Sequence, residues 1–170
     1  RDKAGNLVEI DLDFQPLRNK EGKTTGYIKN GNNHVVELPN ELGQSGQIAV
    51  RAGKHRLSMA PLSESGGKQI SAPGQLKKVE DYNGLLIYAN AFGMNTSLVL
   101  SSTLTGVKED IVLQRAPSGN VFRYEIKAPG LSAKVLDSGA VEFYDPKSLE
   151  LLYSIPEPYA IDSYAGDRLE

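Results

Sequence analysis

The side chains equipped for chemistry are few, and their spacing limits what they can do. Glu80-Asp81 and Glu109-Asp110 are the adjacent carboxylates. Acid–base work needs two carboxylates that converge across a gap, whereas consecutive residues on a strand point to opposite faces. Neither pair can share a proton or a substrate, and both read as surface charge. Asp11 and Asp13 do share a face, but an oxygen-rich calcium site takes six or more ligands, and no D-x-[DN]-x-[DN]-G loop is present. His34 and His55 stand in separate predicted hairpins, without the Ser and Asp of a triad or further ligands at metal spacing. Ser65-Gly66-Gly67-Lys68 is a phosphate loop in fragment only. Leu62 occupies the first glycine position, Gln69 the hydroxyl position, and no helical pattern follows. Asn95-Thr96-Ser97 is a formal glycosylation sequon of a kind that arises often by chance. With no cysteine in the chain, thiolate nucleophiles, disulfides and Cys-based zinc sites are excluded. No catalytic set, metal site or cofactor site is expected.

Eight tyrosines are the one chemically suggestive surplus. Tyr82, Tyr88, Tyr124, Tyr144, Tyr153, Tyr159 and Tyr164 fall mostly on or beside predicted strands, where rings pack on a pleated, half-buried surface. A stripe of outward rings would instead stack on sugars or dock a partner. Tyr144 is opposite in parity to Val141 and Phe143, which makes it the expected outward ring and the single candidate ligand contact.

The elements that must carry these residues are strands. Val8, Ile10, Leu12 and Phe14 alternate with Glu9, Asp11 and Asp13, the pattern of a strand with one buried and one wet face. Residues 18–33 are polar and rich in Gly and Asn, a long loop or irregular hairpin. Short strands are expected at His34–Leu38, Ile48–Arg51 and Leu57–Ala60, the last two joined through Gly53. Pro61–Gln75 has the composition of an exposed loop and is where the chain would subdivide. Asn83-Gly84, between Val79–Tyr82 and Leu85–Ala89, is the strongest two-residue hairpin signal. Ser97–Thr103 continues the strands. From Val107 to Pro158 four alternating runs (Val107–Leu113, Phe122–Ile126, Val141–Phe143 and Leu151–Ile155) read as a meander of hairpins, broken by Pro- and Gly-containing turns. No window of a dozen residues sustains a helical stripe. The expected fold is all-β: an antiparallel β-sandwich of about ten to twelve short strands, in two packed sheets or two subdomains. It would span residues 1–160, with 161–170 a polar tail or linker.

At 170 residues the chain is large enough to bury roughly 70% of its unfolded surface without covalent staples. A net charge of −2 supplies no field for polyanions, so nucleic acid is not an expected partner. No apolar run approaches the ~18 residues of a membrane span. The chain starts at Arg1 rather than Met, as expected of a piece of something longer.

The order of these pieces resembles the amino-terminal β region of large bacterial wall-associated and RHS (YD-repeat) surface proteins, which often carry DNRLRE-type modules. The likeness rests on Val8-Glu9-Ile10-Asp11, Gly26-Tyr27-Ile28-Lys29-Asn30, Val36-Glu37-Leu38-Pro39 and Gly53 before Leu57-Ser58-Met59. It continues through Val107-Lys108-Glu109-Asp110-Ile111-Val112-Leu113, the strand Phe122–Ile126, Gly130-Leu131, Val141-Glu142-Phe143-Tyr144-Asp145 and Ile155-Pro156-Glu157-Pro158. Between Gln75 and Leu104 only strand character is shared. The resemblance implies a non-catalytic structural or interaction module of a secreted or cell-wall-associated protein, extracellular and from a Gram-positive envelope. Its partners would be neighbouring domains of the parent chain, a cell-wall glycan or another surface protein. The alternative is a carbohydrate- or glycan-binding sandwich.

Overall fold

The computed structural model describes residues 12–31, 33–43, 46–63, 70–79, 82–116, 119 and 121–161. Asp11, Glu80-Asp81, the segment 64–69 and the tail from 162 onward lie outside them, as does most of the strand expected at Val8–Phe14. The described residues form fourteen strands and no helix, all paired antiparallel. They are β1 (Gln15–Arg18), β2 (Thr24–Asn30), β3 (Val35–Pro39), β4 (Glu41–Leu42), β5 (Ile48–Ala52), β6 (His55–Leu62) and β7 (Ala72–Val79). Then come β8 (Tyr82–Tyr88), β9 (Thr96–Ser102), β10 (Val107–Leu113), β11 (Arg123–Lys127), β12 (Ser132–Val135), β13 (Val141–Tyr144) and β14 (Leu151–Ile155). The chain divides into two compact units, Arg1–Lys127 and Ala128–Glu170. Segment 61–75 lies inside the first, where Pro61 is a buried residue of β6 and Ala72–Gln75 belong to β7.

The first unit is a β-sandwich. One sheet has six strands in the order β1-β2-β3-β5-β6-β11, and the other has five in the order β10-β9-β8-β7-β4. Period-two alternation selects the inner faces. Tyr27, Val36, Leu38 and Ile48 from the first sheet share one apolar cluster with Leu86, Tyr88, Leu98 and Leu100 from the second. Each such side chain, fully buried, contributes about 1.5–3 kcal/mol against solvent. The Tyr88 hydroxyl, inside this cluster, donates to the Pro39 carbonyl at 2.6 Å and so satisfies a buried acceptor at the end of β3.

Two expectations are corrected here. Asn83-Gly84 does not turn the chain: it lies within β8, and the reversal falls between Val79 and Tyr82, which are register partners. Gly84 is on the inward side with Leu86 and Tyr88, and its amide donates to Asp13 Oδ1 at 3.3 Å. The run from Val107 to Pro158 is not one meander, because β10 pairs with β9, β11 crosses to pair with β6 in the other sheet, and β13 and β14 belong to the second unit. The stretch from 18 to 33, expected as a long loop or irregular hairpin, carries the irregular β1–β2 hairpin, and Tyr27 and Lys29 of β2 are both inward and buried.

The second unit contains a three-stranded sheet in the order β12-β13-β14. β12, Ser-Ala-Lys-Val, carries no alternation and is exposed throughout, which is why the sequence pattern passes over it. Register aligns Val135, Val141 and Ile155 across the sheet, and likewise Ala133, Phe143 and Tyr153. These six make an apolar face, opposite Lys134, Glu142 and Ser154. The turn joining β13 to β14 is fixed by Asp145, whose Oδ1 accepts the amides of Lys147 and Ser148 at 2.8 and 3.0 Å. It holds Leu149 at φ 60°, a left-handed conformation that side chains other than Gly and Asn seldom adopt.

Candidate functional site

β10 and β11 are the edge strands of the two sheets of the sandwich, and their inward side chains meet. Glu109 is the register partner of fully buried Leu100, between Val107 and Ile111 on the core face of β10. Tyr124 is the partner of Pro61 on the inner face of β11. The Tyr124 hydroxyl donates to Glu109 Oε1 at 2.6 Å, joining sheet to sheet. Glu109 Oε2 is buried with no hydrogen-bond partner. Burial pushes the Glu109 carboxyl above the usual carboxylate range; the Tyr124 bond opposes that shift and the charge of Asp110 adds to it. Tyr124 in turn is raised, chiefly by burial and then by the carboxylate beside it. Its ring packs edge-on against Phe92, with centroids 5.7 Å apart, and Phe92 packs edge-on against Phe122 at 5.1 Å. Beyond these rings a cavity of about 260 Å³ is lined by Leu62, Ile70, Phe92, Thr96, Val121 and Phe122, among others.

The expectation that both members of Glu109-Asp110 are surface charges is therefore half right. They do point to opposite faces: Asp110 pairs with Lys108 at 2.9 Å on the outer face, while Glu109 enters the interior. The signal for this was present, since Glu109 shares its parity with Val107 and Ile111. Among the described residues no three His, Cys, Asp or Glu side chains gather as metal ligands.

A second polar group crosses the sandwich where β2 runs into β3. Lys29 is only 1% exposed, and its Nζ donates to the Thr103 carbonyl in the β9–β10 turn at 2.6 Å. It also lies 3.3 Å from His34 Nε2, and His34 Nδ1 lies 3.2 Å from Asn33 Oδ1. Sequence reasoning missed Lys29 because it falls in the polar, Gly- and Asn-rich stretch read as a loop or irregular hairpin. Its parity with Tyr27 was the available clue. His55 lies apart, in the β5–β6 hairpin, so the structure does not bring the two histidines together. In that hairpin Arg51 and Arg56 face each other across the strands, and both bind Glu37, at 2.8 and 3.0 Å.

Tyr144 does lie on the face of β13 opposite Val141 and Phe143, as its parity requires. Its hydroxyl is bonded to Glu142 on the same face, and that bond is the leading cause of a raised tyrosine pKa. Of the other tyrosines, Tyr27, Tyr88 and Tyr153 are buried and Tyr159 is exposed. Asn95 adopts φ 66° in the turn before β9 and Thr96 is buried, so the sequon sits in a tight turn. Comparisons with protein-family models, with curated proteins and with solved structures return no match.

Proposed function

We propose that this chain is a non-catalytic structural or interaction module of a large secreted or cell-wall-associated bacterial protein. The observation that carries the reading is the use made of the interior polar side chains. Glu109, Tyr124, Lys29 and Tyr88 each make a hydrogen bond inside the sandwich: the Glu109–Tyr124 bond and Lys29 join one sheet to the other, and Tyr88 binds the end of β3. Groups committed in this way hold two sheets in register and resist shear, the demand placed on a spacer or scaffold. The sequence resemblance to wall-associated and RHS surface proteins supplies the extracellular, cell-envelope setting and makes neighbouring domains of the parent chain its first partners.

A glycan-binding sandwich is the second reading, favoured by the aromatic-walled cavity at Phe92 and Phe122 and by the Tyr144–Glu142 pair. A binding screen of this chain against glycans and cell-wall polymers, run in parallel with Tyr144→Ala, separates the two. The scaffold reading expects no saturable binding to any of them. Saturable binding lost in Tyr144→Ala would overturn it in favour of the second. For the setting, the parent gene decides: an export signal is expected, and a parent with no export route would sink the surface assignment.

A further inference from the structure

The Lys29–His34 contact constrains protonation. An ammonium has donors only, so His34 Nε2, 3.3 Å from Lys29 Nζ, must carry the lone pair, and the ring proton sits on Nδ1 facing Asn33 Oδ1. One neutral tautomer satisfies every partner. Protonation would set two cationic donors against each other where the side chains are 1% and 7% exposed. The ring has little room to turn aside, since it lies so close over Gly31 that a Cβ there would be 2.6 Å from its Cε1. From β2 the imidazole meets Lys29; its own turn contributes Asn33 and Gly31; the β9–β10 turn acts through the Thr103 carbonyl that anchors Lys29. Lys29 is the charge that acts on the ring.

We propose that Lys29, His34 and the Thr103 carbonyl form an acid-sensitive latch between the two sheets, closed while His34 is neutral and released when it takes up a proton. Burial, and after it the Lys29 charge, holds His34 below the ordinary histidine range, as this geometry requires. Burial likewise lowers Lys29. The sign follows from linkage. The closed form refuses a proton that the open form accepts at about 6.5, so the latch keeps its full strength above that pH and weakens as pH falls below it. The open-to-closed ratio then rises by at most 1 + 10^(6.5 − pH), a ceiling of about thirty-fold at pH 5. The latch does not depend on which reading of the function holds.

Native-state hydrogen exchange on the full chain tests it, corrected for intrinsic rates. The reporters are the Gly31 amide, which donates to the His34 carbonyl, and the Thr103 amide, which donates to the Gly106 carbonyl. Between pH 7.5 and pH 5 their protection should fall, by more than about threefold and up to about thirty-fold, while the Val36 and Leu98 amides, central in their sheets, change less than about threefold. His34→Gln keeps an acceptor for Lys29 but cannot titrate, so its protection should be flat with pH. An unchanged pH dependence in that variant would overturn the latch. So would a wild-type His34 ring titrating near 6.5 with no loss of protection, a measurement that needs no variant to fold.

Discussion

The Tyr124–Glu109 bond can be isolated by a double-mutant cycle. Tyr124→Phe deletes one oxygen and leaves the ring against Phe92. The lost bond is 2.6 Å long, lies at the meeting of two sheets and ends on a carboxylate whose other oxygen has no partner. A hydrogen bond to a charged group is worth about 1.5–3 kcal/mol, so about 2 kcal/mol is expected at a pH where the Glu109 carboxyl is ionised. In a Glu109→Met background the hydroxyl is itself buried without a partner, and deleting it should cost nothing or stabilise slightly. The coupling energy is then about 2 kcal/mol or more, and the apolar double variant should approach the wild type. Urea unfolding followed by far-UV circular dichroism suits a chain that lacks tryptophan. pH supplies a second axis. Because burial raises the folded-state pKa of Glu109 above its ordinary 4.5, the ionised carboxyl is a penalty present above that folded value, relieved as pH falls through it toward 4.5. The cost of Tyr124→Phe should shrink over the same window toward the roughly 1 kcal/mol of a neutral bond. His34 titrates in all four proteins and cancels from the cycle. A coupling below about 0.5 kcal/mol would refute the claim that this bond ties the sheets.

Three further outcomes are expected. Tyr88→Phe leaves the Pro39 carbonyl without its 2.6 Å donor, and should lower unfolding stability by about 1–2 kcal/mol with an unchanged denaturant slope. Gly26→Ala would place a Cβ 2.7 Å from the Leu38 carbonyl oxygen, a backbone atom held by β2–β3 pairing; a loss of at least about 2 kcal/mol is expected, and a neutral result in chemical denaturation would contradict the packing there. Leu149→Gly relieves a left-handed residue that is exposed and gives up little burial, so the second unit should gain about 1 kcal/mol in thermal unfolding.

Strand identity was legible where alternation was strong. Val36 with Leu38, Leu98 with Leu100, and Val107 with Ile111 declared both their strands and their inner faces. Strand pairing was not. Val107–Leu113 and Phe122–Ile126 read as hairpin neighbours because a turn-rich segment separates them, yet that segment carries the chain from one sheet to the other, and nothing in local chemistry distinguishes a tight turn from a crossover. Asn83-Gly84 shows the converse. A dipeptide with strong turn preference was held in β8 because Leu86 and Tyr88 could reach the core only in that register, and their burial outweighs a local preference.

The polar interior shows why parity deserves precedence over residue type in such a fold. Lys29 reads as part of a polar loop or irregular hairpin, and Glu109 as a surface charge because its neighbour Asp110 must point to the opposite face. Each nevertheless shares its strand face with core residues: Lys29 with Tyr27, Glu109 with Val107 and Ile111. A charge on the apolar face of a strand has two outcomes, expulsion of the strand to the surface or a partner waiting inside. Position in the sheet selects between them. β10 is an edge strand and β2 faces the β9–β10 turn, so a long side chain from either reaches the opposite sheet, to Tyr124 in one case and the Thr103 carbonyl in the other. Charges placed at the margins of a sandwich thus join its sheets where apolar packing is thinnest, and their worth is set by the geometry of the pair, which is what the cycle at Tyr124 and Glu109 measures.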